Sequence, residues 1–119
     1  MLTFVGPAKA SAHHVPGHPE RPARVEAVAA GVDALGLGED LRREDTRPAA
    51  EDELSRVHRP DYLAFLRRTS DGGGGDLDPD TYVTAASWEA ACHAAGAGLV
   101  AVERMRASGG VGLVAARPP

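Results

Sequence analysis

The chain has 119 residues, room for one domain with a small core. Hydrophobic residues make up 43% and charged residues 25%, ordinary values for a soluble globular protein, and the formal charge of −4, with no basic block, argues against a nucleic-acid partner. One cysteine, Cys92, excludes an internal disulfide and a cysteine-based zinc site. No apolar run reaches the roughly 18 residues of a membrane helix. No basic leader precedes an apolar stretch, so no signal peptide is expected, and the cytoplasm is the expected compartment.

Leu2–Val5 is a short β-prone run stopped by Gly6-Pro7. Lys9 to Pro22 follows as an ordered loop, and within it three of the five histidines, His13, His14 and His18, fall inside six residues. Pro16, Pro19 and Pro22 fix their own φ and hold the preceding residues extended, so neither a helix nor a ladder strand can pass through. Such a loop, rich in imidazoles, carboxylate and guanidinium, is where function is expected. The four-residue spacing of His14 and His18 would suit a metal only on a helix, which Pro16, Gly17 and Pro19 forbid. The histidines are therefore expected to orient the loop by hydrogen bonding.

A helix is expected from Pro22, with Val25, Val28, Ala29, Val32 and Leu35 as its apolar face and Gly36 and Gly38 as its end. Residues 39–50 are polar, with a short strand possible around 44–49. Glu51–His58 reads as one or two helical turns, with His58 capping a kink before Pro60. Asp61–Arg68 continues as helix with Tyr62, Phe65 and Leu66 on one side. Asp71–Pro79 reads as a glycine- and aspartate-rich loop. Asp71, Asp76, Asp78 and Asp80 lack EF-hand spacing and its closing glutamate, and Gly72–Gly75 is followed by no Gly-Lys-Ser/Thr, so neither a calcium nor a phosphate loop is expected.

The longest helix should start near Ser87, as N-cap, and run to about Ala107. Trp88, Ala91, Cys92, Ala95, Leu99 and Val102 form its stripe, and the opposite side is hardly more polar, the pattern of a buried helix. Trp88 is expected to anchor the core and Cys92 to be an inert buried thiol. Gly96 and Gly98 each cost about 1 kcal/mol of helix propensity relative to alanine, tolerable where another element packs closely. Val111–Ala115 is then a continuous apolar strand, as in a buried parallel sheet. Alternating strand and helix point to an α/β layer fold. A fold with so few strands and so large an apolar helix leaves apolar surface without a partner, as expected of the front portion of a larger domain.

Four stretches, in order, carry a resemblance that spans nearly the whole chain. Gly17-His18-Pro19-Glu20-Arg21-Pro22-Ala23-Arg24 resembles the first loop and helix start of the zinc-dependent histone deacetylase superfamily, which includes acetoin-utilisation proteins and acetylpolyamine amidohydrolases. Leu54 to Tyr62 resembles that family's His-x-x-x-Tyr helix pair. Asp78-Pro79-Asp80-Thr81, with Ser87–Ala91 and Ala95-Gly96-Ala97, resembles its second loop and the following helix. Val114–Pro119 resembles the strand and tripeptide preceding its Gly-His-His-Ala.

The resemblance implies an α/β, arginase-like (ureohydrolase/deacetylase) three-layer fold with a parallel sheet, of which residues 1–119 form an incomplete N-terminal portion. It implies hydrolysis of an acetyl or other acyl amide on a lysine or polyamine nitrogen. In that family zinc is held by two aspartates and a histidine, a histidine pair moves protons, and a tyrosine assists the oxyanion. All of these lie beyond the position matching Pro119. No catalytic residue, metal ligand or bound zinc is therefore expected in this chain, which should be inactive alone. Arg24 matches an arginine on the pocket floor, where a guanidinium can pair both oxygens of product acetate. Asp80 or Asp78 matches a rim aspartate that accepts hydrogen bonds from the substrate backbone, and His18 belongs to the facing wall. The alternative reading is a small non-catalytic α/β protein that binds through the histidine loop.

Overall fold

The computed structural model describes residues 1–8 and 12–116. Residues 9–11 of the first loop and the last three residues of the fourth motif, 117–119, lie outside the described residues.

The aliphatic and aromatic run at Leu2–Val5 forms strand β1, the centre of a three-stranded parallel sheet ordered β2-β1-β5. Strand β2 is Leu41–Glu44 and β5 is Val111–Val114. The register sets Leu2 opposite Leu41 and Val111, and Phe4 opposite Arg43 and Leu113. Thr3, Phe4 and Val5 are all buried, as the middle strand of a sheet covered on both faces requires.

Helix α1, Pro22–Ala34, covers one face and α4, Ser87–Ser108, the other. Phe4 packs with Val25, Val32 and Ala115, joined by Leu2, Ala29 and Leu41. Val5 packs on the opposite side with Ala97, Val100 and Ala101. Three layers result, and the expected α/β architecture with a parallel sheet is found. Gly6 closes the end of β1 at φ +127, where a Cβ would lie 2.5 Å from the Ala115 carbonyl oxygen. That close approach lets Ala115 N–H donate to Val5 O at 2.9 Å and Ala8 N–H donate to Ala115 O at 3.1 Å.

Between α1 and β2 a single 3-10 turn spans Gly38–Asp40. After β2 come the one-turn helix α2, Glu51–Leu54, and helix α3, Pro60–Asp71. A two-stranded antiparallel hairpin follows, β3 at Gly74–Asp78 and β4 at Thr81–Thr84. Ser70, fully buried, joins α3 to it. Its Oγ lies 2.8 Å from Thr84 O and 3.1 Å from Ala85 O and accepts from Trp88 N–H at 3.1 Å.

Several expectations are corrected. The polar strand lies at 41–44 instead of 44–49, because Arg43 can lay its guanidinium 5.1 Å from the centre of the Phe4 ring while pairing Asp33 of α1. Asp71–Pro79 contains β3, paired along β4. Ser87 is the first residue of α4 and Ala86 its N-cap. On α1 only Val25 and Val32 are buried, while Val28 and Leu35 are exposed. On α3 Leu63 is buried and Tyr62 and Phe65 are exposed. On α4 the buried face is Ala90, Cys92, Gly96, Ala97, Val100 and Ala101, and Trp88 is half-buried. Among the described residues strand β5 lies at the edge of the sheet, with Val111 66% exposed. His58 places its ring beside Tyr62, with centroids 5.6 Å apart.

Candidate functional site

The histidine loop and the β3–β4 hairpin meet at Tyr82. His13 is buried and its ring stacks on Tyr82, centroids 4.4 Å apart and planes inclined by 12°. His18 meets the same ring edge-on, at 4.9 Å and 71°. Stacked and edge-to-face contacts are the favourable aromatic geometries. His13 Nδ1 lies 2.6 Å from Ser87 Oγ, which also accepts from Thr84 N–H at 2.7 Å. The start of α4 thus holds the loop from beneath. The expectation that the histidines orient the loop is met by His13 and His18, while His14 is exposed.

His18 also has a defined polarity. Glu20 N–H donates to His18 Nδ1 at 3.0 Å. A neutral imidazole has one acceptor nitrogen and one N–H, so the proton of neutral His18 sits on Nε2. Nε2 lies 3.9 Å from Asp80 Oδ1. Asp78 Oδ1 accepts the Asp80 N–H at 2.8 Å and so closes the hairpin turn. The two aspartates therefore do different things: Asp78 shapes the turn, and Asp80, its side chain 95% exposed, faces His18 and solvent. Arg24 lies on the first turn of α1, exposed, in an ion pair with Glu20. Glu20 thereby links Arg24, through its side chain, to His18, through its backbone.

Beside this wall a cleft of about 610 Å³ opens between α3, α4 and the hairpin, with Tyr62, Leu66, Leu77, Trp88, Ala91 and Ala95 among its lining. Cys92 reaches it from α4, and burial pushes its thiol above the ordinary range. A second cavity of about 480 Å³, lined by Gly6, Glu44, Arg47 and Arg104, lies at the carboxyl ends of β1 and β2. Its arginines are paired with carboxylates, Arg47 with Glu53 and Glu103 and Arg104 with Glu44. Among the described residues no three histidine, cysteine, aspartate or glutamate side chains converge to hold a metal. The described residues therefore offer no site that fits the zinc implied by the resemblance.

The sequence reading missed Tyr82 and Ser87 as partners of the histidines. The signal was present in Thr81-Tyr82-Val83-Thr84, a β-prone run directly after the Asp-Pro-Asp turn.

Comparison with known proteins decides the family. The histone deacetylase domain matches residues 18–119. The chain belongs to the histone deacetylase family. It is 33% identical over 91 residues to the histone deacetylase-like amidohydrolase of Pseudomonas aeruginosa, covering 76% of this chain and 24% of that protein. It is 34% identical over 108 residues to human polyamine deacetylase HDAC10, covering 84% of this chain and 16% of that protein. The HDA15 HD domain superposes with a TM-score of 0.86 at 26% identity, over 99% of this chain and 36% of that one. The chain thus spans well under half the length of these family members. Among the described residues no helix is long and apolar enough to cross a membrane.

Proposed function

We propose that these residues form the N-terminal wall of a zinc-dependent deacylase that hydrolyses acetyl or other acyl amides on lysine or polyamine nitrogens in the cytoplasm. Arg24, His18 and Asp80 face the substrate or its product, while the metal ligands and the proton-transferring histidines belong to the rest of the domain. The observation that carries the reading is the junction at Tyr82, where the histidine loop and the Asp80 turn come together although more than 60 residues separate them in the chain. Two loops joined in this way make one side of a pocket. Asp80, exposed at the hairpin turn, presents acceptor oxygens to a substrate backbone N–H, with His18 Nε2 beside it at 3.9 Å. Arg24 offers paired donors that suit an acetate product, with Glu20 restraining it until the product arrives.

The test is a chimera. The matched 91 residues of the Pseudomonas amidohydrolase are replaced by the corresponding residues of this chain, and acetate release from an acetyl-lysine peptide and from an acetylpolyamine is measured with zinc. The chimera is expected to turn over, and Asp80→Ala to lower kcat/KM by about 10- to 100-fold, the equivalent of one lost hydrogen bond to a charged acceptor. A zinc-loaded chimera that turns over equally well with Asp80→Ala, His18→Ala and Arg24→Ala would remove the assignment of the wall.

A further inference from the structure

We propose that His18 is a proton-operated latch on the loop leading into α1: neutral, it holds the Glu20–Arg24 pair in place, and protonated, it releases it. The latch is a property of this chain alone, and only its consequence for a product at Arg24 rests on the reading above.

Three observations converge. First, His18 Nδ1 accepts the Glu20 N–H at 3.0 Å, so Nε2 already carries the proton of the neutral ring. An added proton must enter at Nδ1. The imidazolium then has two donors and no acceptor, and the Glu20 hydrogen bond turns into a contact between two N–H groups. Second, the ring has little room to turn away. Its side chain is 20% exposed and lies edge-on to Tyr82, whose other side is stacked by His13. Relief must therefore come from the backbone at Glu20. Third, Glu20 carries the movement onward, because its carboxylate pairs Arg24. Arg24 itself stays with the helix start, its N–H donating to Arg21 O at 3.1 Å. Displacing Glu20 thus separates the pair and frees the guanidinium.

The groups around His18 decide the direction. The hairpin turn presents Asp80, 3.9 Å from Nε2, while Asp78 is engaged with the Asp80 N–H. Strand β4 presents the Tyr82 ring, and α4 reaches this corner through Ser87, against His13. The loop and α1 present Glu20 and Arg24, already paired. Asp80 favours the imidazolium, but its side chain is 95% exposed, and a pair so open to water contributes little. A part-buried N–H stripped of its acceptor costs more. Acid therefore opens the loop.

The test is NMR of the full 119-residue chain titrated from about pH 8 to about pH 5, the range in which imidazoles change charge. At the alkaline end the His18 ring nitrogens should report the Nε2–H tautomer, and the Glu20 amide should be shifted downfield by its hydrogen bond. On acidification the Glu20 amide should move upfield in step with the His18 ring, and contacts between the Glu20 and Arg24 side chains should be lost. The Leu2–Val5 amides should stay unchanged. His18→Asn, which keeps an acceptor where Nδ1 lies and does not titrate, should hold the Glu20 amide at its alkaline position throughout. An Nδ1–H tautomer in the parent chain would overturn the proposal. So would a Glu20 amide that ignores the His18 titration, or one that moves equally in His18→Asn. None of these readouts involves acetate release, so failure of the latch and failure of the deacylase reading are told apart.

Discussion

Arg47 donates to both carboxylate oxygens of Glu53, at 2.8 and 3.0 Å, and to Glu103 at 2.9 Å. It thereby ties α2 to α4. The hydrogen bonds from Arg47, then the Ala50 N–H, hold the Glu53 carboxyl down to about 2 from its ordinary 4.5. A carboxyl depressed in the folded state stabilises that state above its unfolded pKa and loses the contribution as pH falls through the folded one. Glu53 should therefore stabilise the protein fully above about pH 4.5, with the contribution draining away towards about pH 2. In thermal unfolding across that window, Arg47→Met should show a shallower fall of Tm than the parent. Parallel curves would show that the pair contributes nothing. At the same scale, His18 and Asp80 were legible in the sequence as loop residues, but their meeting was not. Only the hairpin fold decides that Asp78 caps the turn and Asp80 faces the imidazole.

Helix α4 shows how an element records its neighbours. Its length was legible, since Ser87 and Gly109 bracket it closely. Its buried face was not, because between Ala90 and Val102 only His93 is polar and periodicity then has no contrast to work with. The two glycines carry the missing information. A Cβ on Gly96 would lie 1.7 Å from Arg47 O, where the 47–49 segment crosses the helix and Ala49 N–H donates to Cys92 O at 2.9 Å. Nothing lies within 4 Å of the corresponding point on Gly98. Gly96→Ala should therefore destabilise by about 1–3 kcal/mol or more through overpacking. Gly98→Ala should stabilise by about 0.4–1 kcal/mol through helix propensity and a less free unfolded chain. Chemical denaturation of both variants checks the opposite signs. The β3 strand was hidden for the reverse reason. Gly74-Gly75-Asp76 has poor strand propensity, and pairing with Thr81–Thr84 overrides it.

At the scale of the molecule, the parallel sheet with a helix layer on each face was legible from the strand–helix–strand order alone. The family was legible from four short motifs, because each sits where the fold turns: the loop after β1, the α2–α3 junction, the hairpin turn with the start of α4, and the end of β5. What the sequence could not show is how little of the sheet β5 completes, since an edge strand and a central strand of a parallel sheet read alike when both are apolar. Two loops distant in the chain meet around Tyr82. Proton NMR of the histidine rings in the folded chain tests this most directly. The His13 ring protons should be shifted upfield by the Tyr82 ring current, both His13 and His18 should show nuclear Overhauser contacts to Tyr82, and Tyr82→Leu should abolish the His13 shift. Random-coil imidazole shifts in the parent protein, unchanged by Tyr82→Leu, would contradict the account.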